Sequence, residues 1–308
     1  MIVSQIPHKV MRKADHYPVM YREVLKFLDL KPKRVVVDCT VGIGSHVFKL
    51  LESMGQEAFI IGIDRDQNSL KVAQANLEPF FKGRFCLIRD NFANLGQILK
   101  KLNINEVDAF LFDLGISSYQ LSDPERGFSF SKKGPLDMRM DRNAFLSACD
   151  LVNNLSEGEL ENIFRKFGEE PYSRRVARAI VEARKNQPIS TTIQLSEIIR
   201  DCNPSKARFA RIHPATRVFQ ALRIAVNGEL EILEAAFIQA ISYLKTGGRI
   251  GVISFHSLED RIVKRTYKNY FAKGVLKIIT KKPLTPTEEE RSENLPSRSA
   301  KLRVAEKI

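Results

Sequence analysis

Apolar residues follow two rhythms along this chain. Short, densely apolar runs recur at Val35–Val37, Phe59–Ile63, Arg84–Arg89, Val107–Phe112 and Arg249–Phe255, with the length and composition of buried strands. Elsewhere the apolar positions return every three or four residues. They do so at Val47, Leu50, Leu51 and Met54, over Gln67–Phe81 and Leu95–Leu102, and through a long stretch Val218–Leu244. Strand and helix patterns in alternation predict an α/β fold with a doubly wound, mainly parallel sheet. The Lys245-Thr-Gly-Gly248 run predicts a glycine stop between the long helix and the fifth strand. Two later runs, Val275–Lys282 and Ala300–Lys307, alternate with no long helix between them. They predict an antiparallel pair at the sheet edge.

About 135 residues separate the fourth and fifth strands, too many for one crossover. From about Asn143 to Asp201 the pattern is helical. Ser156 with Glu159 forms a capping-box signal, and Ser190–Thr192 opens another helix after Pro188. The expected organisation is a main domain made of residues 1–141 and 214–308, with a helical substrate-recognition domain inserted at 142–213.

At 308 residues, 44% hydrophobic and 28% charged, the chain can bury a full core. No apolar run approaches the roughly 20 residues of a membrane span. The first residues show neither a continuous apolar core nor a clean cleavage site, so no signal peptide and no membrane partner are expected. Cys39, Cys86, Cys149 and Cys202 are widely spaced, which predicts reduced thiols in a cytoplasmic protein, and no metal site. Lys and Arg outnumber Asp and Glu, 49 − 36 = +13, a surplus that suits a polyanionic partner. The absence of Trp and an aromatic content of 8% argue against a platform for long single strands.

The first strand ends at Asp38 and runs into CTVGIGSH; the second ends at Asp64. Gly42 and Gly44 permit a tight turn, and Asp64 stands where a carboxylate can accept from both hydroxyls of a ribose. A dinucleotide fingerprint would place a third glycine where Val47 stands, and Asp38 would repel a pyrophosphate. A cationic, phosphate-free ligand suits both departures. The loop resembles the first motif of the Rossmann-like methyltransferases, DxxxGxG with a later acid. That resemblance implies S-adenosylmethionine, with Gly42, Gly44 and Ser45 along its methionine part and Asp64 on its ribose.

The polar block Leu111–Asp141 follows the fourth strand, where α/β ligand sites lie. It resembles the small-subunit ribosomal RNA cytosine-N4 methyltransferases of the MraW type. So do HYPVMYREVL (His16–Leu25), GEEPYSRRVARAI (Gly168–Ile180), HPATRVFQALRIAVNGEL (His213–Leu230), ISFHSLEDRIVK (Ile253–Lys264) and SRSAKLR (Ser297–Arg303). The resemblance implies a Rossmann-like class I methyltransferase sheet with an antiparallel C-terminal strand pair and an inserted helical domain. It also implies S-adenosylmethionine as donor and, as substrate, a cytosine in the decoding region of small-subunit RNA. The donor contacts then fall on Gly44, Ser45, His46, Asp64, Phe92, Asp113 and Gln120, with Asp38 beside them. Where the family loop usually reads GRGGH this chain reads GIGSH, so Ile43 and Ser45 are the departures, and the SRSAKLR region opens with ENLP.

The N4 lone pair of cytosine is delocalised into the ring, so an acceptor for N4–H would favour attack on the sulfonium methyl. Asp113-Leu114-Gly115 stands where many amino methyltransferases carry a Pro-Pro motif. Asp113 can serve the donor, the amine or both. His256 and Glu259, with Asp260, are candidates for base recognition or loop stabilisation; helix capping through Ser257 and Asp260 is the alternative. The base must be unstacked to react. Candidate phosphate contacts are Arg126, Arg139, Arg142, Arg174, Arg175, Arg178, Arg217 and Arg223, each weighed against a solvated basic face or an internal ion pair. The expected partner is small-subunit RNA in the assembled or nearly assembled subunit. The oligomeric state stays open, a homodimer included.

Overall fold

The computed structural model describes residues 17–30, 35–205 and 212–308. His16, the N-terminal segment read as lacking a leader, and 206–211 of the inserted region lie outside the described residues. The polypeptide divides into two compact units, Met1–Gly115 with Leu233–Ile308, and Ile116–Ile232.

The first unit carries one seven-stranded sheet in the order β3-β2-β1-β4-β5-β7-β6. The strands are β1 Val35–Asp38, β2 Phe59–Asp64, β3 Phe85–Arg89, β4 Val107–Asp113, β5 Leu244–Ser254, β6 Leu276–Ile278 and β7 Lys301–Lys307. β1 to β5 are parallel, and β7 lies antiparallel between β5 and β6. This is the class I methyltransferase sheet with the reversed C-terminal pair. Val36, Val37, Ile60, Ile61, Phe110, Leu111, Phe112, Ile250 and Val252 are all buried. Their near-continuous apolar character suits strands covered on both faces. Strand order reverses between β1 and β4, so the ligand crevice of such a sheet opens at their carboxyl ends, beside Asp38 and Asp113.

The structure departs from the sequence pattern at two glycine sites. Val218–Leu244 is not one helix: helices Ala215–Asn227 and Glu229–Tyr243 meet at Gly228, whose φ is 59°. The Lys245–Gly248 run caps no helix either. β5 already begins at Leu244, and pairing with β4 jumps from Val107–Leu244 to Ala109–Arg249, so the glycines form a bulge inside the strand. A Cβ on Gly248 would stand 2.8 Å from the Lys245 carbonyl oxygen and 2.9 Å from that of Asp108.

The second unit is helical and wider than the 142–213 segment the sequence suggested. Its principal helices are Ala148–Asn154, Glu157–Gly168, Ser173–Ala183, Thr192–Cys202 and Ala215–Asn227. Leu160, Phe164, Val176, Ile180, Leu195, Ile199, Val218 and Leu222 are buried in it. Most of the polar block belongs here because long-range hydrogen bonds fasten it. Asn227 Nδ2 donates to the Met138 carbonyl at 2.8 Å, and its Oδ1 accepts from Met140 N–H at 2.8 Å. Gly168 lets its helix approach Ala215–Asn227: a Cβ there would come within 2.6 Å of the Arg217 carbonyl oxygen.

Candidate active site at the strand ends

Three neighbouring strands of the first unit each end in an aspartate. Asp38 of β1 is level with Gly62 on β2 and Leu111 on β4. Asp64 and Asp113 each lie two residues further on, so they flank Asp38 on both sides of β1. The loop after β1 is held by these acids. Asp38 Oδ1 accepts from Thr40 N–H at 3.0 Å, and Asp64 Oδ2 accepts from Gly42 N–H at 2.8 Å. Asp64 Oδ1 accepts from Asp66 N–H at 2.8 Å. Asn76 Nδ2 donates to the Ile43 carbonyl at 3.0 Å, so the atypical Ile43 is fixed through its backbone.

Gly44 has φ 85°, and a Cβ there would press on Leu77 and Ala73 at 3.2–3.3 Å. Its requirement comes from the left-handed turn and from packing on helix Gln67–Phe81. Ser45 is the first residue of helix Ser45–Ser53, and Val47 is fully buried behind it.

The carboxylates crowd one another. Burial, above all, and the neighbouring Asp64 push Asp38 up to about 7. Asp64 is pushed up to about 6, chiefly by burial. Burial, then Asp38 and Glu259, raise Asp113 well above the usual carboxylate range. Asp38 Oδ2 and Asp113 Oδ1 are buried and accept no hydrogen bond from the described residues. Such acceptors are costly unless a donor or a cation meets them. The arrangement fits a cationic ligand and disfavours a phosphate.

His46 is buried beside Asp113. Its Nε2 lies 3.0 Å from the Val19 carbonyl oxygen, and its Nδ1 lies 3.5 Å from Asp113 Oδ2. A carbonyl oxygen only accepts, so Nε2 carries the hydrogen. Burial lowers the imidazole to about 4, which keeps it neutral. Thr40, which the sequence reading passed over, ties the two acids together. Its Oγ1 accepts from Asp113 N–H at 2.6 Å and lies 3.5 Å from Asp38 Oδ1. Phe92 begins a short 3-10 turn after β3 and meets Phe112 edge-on at 5.8 Å, so its half-exposed ring is braced.

His256 and Glu259 open helix Ser257–Ala272 as a reciprocal cap. Glu259 N–H donates to His256 Nδ1 at 3.4 Å, and Glu259 Oε2 accepts from Phe255 N–H at 2.8 Å and His256 N–H at 3.3 Å. Capping therefore belongs to His256 rather than to Ser257 and Asp260. Asp260 instead takes a bidentate pair from Arg303 at 2.6 and 3.1 Å, locking β7 to this helix. The Glu259 charge also adds, after burial and Asp38, to the rise of Asp113.

In the second unit Gln120 is buried and closes a capping box with Ser117. The arginines there divide. Arg126 is 2% exposed and donates from Nη2 to the carbonyls of Arg139 and Met140, both at 2.9 Å. Arg139 is paired bidentately with Asp137, and Arg223 with Glu229. All three guanidiniums therefore already have partners inside the protein. Arg142, Arg174, Arg175, Arg178 and Arg217 are exposed. Arg174, Arg175 and Arg178 line a groove of about 700 Å³ with Tyr172, Glu157 and Glu161.

Residues 13–308 match the MraW methylase family. The chain is 51% identical over 295 residues to "Ribosomal RNA small subunit methyltransferase H" of Persephonella marina, covering 96% of this chain and 100% of that one. It is 45% identical to the protein of the same name from Halothermothrix orenii, covering 96% and 99%. A match of this extent, on a chain whose strand ends carry the expected acids, means that the protein belongs to the MraW methylase family, whose methyl donor is S-adenosylmethionine.

Proposed function

We propose that this protein transfers a methyl group from S-adenosylmethionine to the exocyclic N4 amine of a cytosine in the decoding region of small-subunit ribosomal RNA. The observation that carries the reading is the row of strand-end carboxylates with two buried acceptor atoms that no described residue fills, Asp38 Oδ2 and Asp113 Oδ1. When bound, the donor supplies an electrophilic methyl group on a sulfonium. Asp38 would meet its positive charge, Asp64 its ribose hydroxyls, and Phe92 would pack on its adenine. In this reading Asp113 accepts a hydrogen bond from N4–H. The names of the relatives support a small-subunit RNA substrate, as does the surplus of 49 basic over 36 acidic residues. Arg142, Arg174, Arg175, Arg178 and Arg217 are the phosphate contacts in this reading.

The test is transfer of tritiated methyl groups to small subunits that lack the modification, followed by nucleoside mass spectrometry. N4-methylcytidine is the expected product. Label on another nucleoside, or none, would refute the assignment.

A further inference from the structure

The HPATR run was singled out in the sequence, yet the donor site uses none of its residues. In the second unit its histidine tops an aromatic ladder. The His213 ring stacks on Phe130 with centroids 4.6 Å apart and planes 11° from parallel. Phe130 in turn meets Phe219 edge-on at 5.5 Å. Phe219 is 4% exposed and Phe130 is half-buried, whereas His213 is exposed. The ladder therefore runs from the core to the surface and ends in a flat ring. Phe130 covers one face of that ring, so its exposure belongs to the other face and the edge.

The edge chemistry is fixed as well. His213 Nδ1 accepts from Ala215 N–H at 3.2 Å, so Nε2 carries the hydrogen of the neutral ring. Burial first, and the positive charge of Arg200 second, lower its pKa and keep the ring neutral. Ile212, its chain neighbour, is an apolar residue 57% exposed, and the exposed Arg217, four residues on, donates from Nη1 to the Glu169 carbonyl at 3.3 Å. A held planar ring, an apolar chain neighbour and an N–H donor form a combination that receives an unstacked base. In a chain with 8% aromatic residues and no Trp, such a ladder is a local investment.

We propose that His213, backed by Phe130, is a stacking platform for an unstacked base of the RNA substrate, with Nε2–H donating to an acceptor on the base edge. The inference rests on the RNA-substrate reading above and adds the residue that grips a base. His213 also caps helix Ala215–Asn227 through Nδ1, so the test must separate ring from cap. His213→Asn keeps a capping acceptor and removes the ring; His213→Phe keeps a flat ring and removes both the cap and the Nε2–H donor. Binding of fluorescent octacytidylate, and of the same chain with abasic sugars, is measured by anisotropy on the full-length protein.

The wild type is expected to prefer octacytidylate to the abasic chain. His213→Asn should weaken octacytidylate binding by roughly tenfold, His213→Phe should weaken it less because the stack remains while the Nε2–H donor is lost, and binding of S-adenosylhomocysteine should be unchanged in both. Equal binding of the two RNAs by wild type, unaltered binding by the Asn variant, or equal loss in both variants would each overturn the proposal. Methyl transfer to unmodified small subunits is followed in parallel. Its absence with base-dependent binding intact would sink the substrate assignment and leave the platform standing.

Discussion

Asp38 has one oxygen hydrogen-bonded to Thr40 and the other buried without a donor among the described residues, and burial of this carboxylate sets a pH dependence. Its folded pKa is pushed up to about 7 from an ordinary 3.8. Between those values the unfolded chain has lost the proton and the folded chain has kept it. The unliganded protein therefore loses stability as pH rises through this window. A cationic donor prefers the ionised carboxylate, so its affinity should rise over the same window. Calorimetric titration with S-adenosylmethionine from pH 5.5 to 8 is expected to show that rise, and Asp38→Asn should flatten it and raise the unliganded melting temperature at pH 8.

Asp113 is expected to behave differently. If it accepts from the amine, Asp113→Ala should lower kcat by about 10²–10³ while donor affinity falls much less. Equal losses in single-turnover transfer and donor titration would make it a donor ligand only. Asp38 and Asp64 were legible in the sequence because strand, glycine loop and acid recur at fixed spacing. Thr40 was not, because its role depends on Asp113 N–H, 73 residues away in the chain.

At the scale of the element, the five parallel strands and the reversed C-terminal pair followed from apolar runs. The two glycine sites misled because a glycine after an apolar stretch signals a cap, a break or a bulge equally well. Only pairing with β4 makes Lys245–Gly248 a bulge. The Arg303–Asp260 clamp was equally hidden, since its partners are 43 residues apart. The two side chains are 9% and 15% exposed. Arg303→Met strands the Asp260 charge and is expected to cost about 3 kcal/mol, read from urea unfolding. Adding Asp260→Asn should recover part of that loss, because removing both partners leaves no unpaired buried charge. Additive losses would mean that the pair contributes nothing by its coupling.

At the scale of the whole molecule, the +13 charge is not spread over interchangeable arginines. Sequence could count these residues but could not sort them, because burial and partner decide which guanidinium meets solvent. Arg174, Arg175 and Arg178 present their charge along one helix face and groove, whereas Arg126 spends its donors on carbonyls inside the polar block. The two kinds should separate in a salt titration of RNA binding. Each phosphate contact that is lost lowers the slope of log K against log salt by about 0.7–0.9. Arg174→Ala and Arg178→Ala are each expected to lower the slope by that amount, with melting temperature unchanged. Arg126→Ala should leave the slope where it was and lower the melting temperature, because it removes a buried guanidinium that holds two part-buried carbonyls. A slope change in the Arg126 variant with unchanged stability would mean that this guanidinium reaches RNA after all, and that the polar block opens to let it.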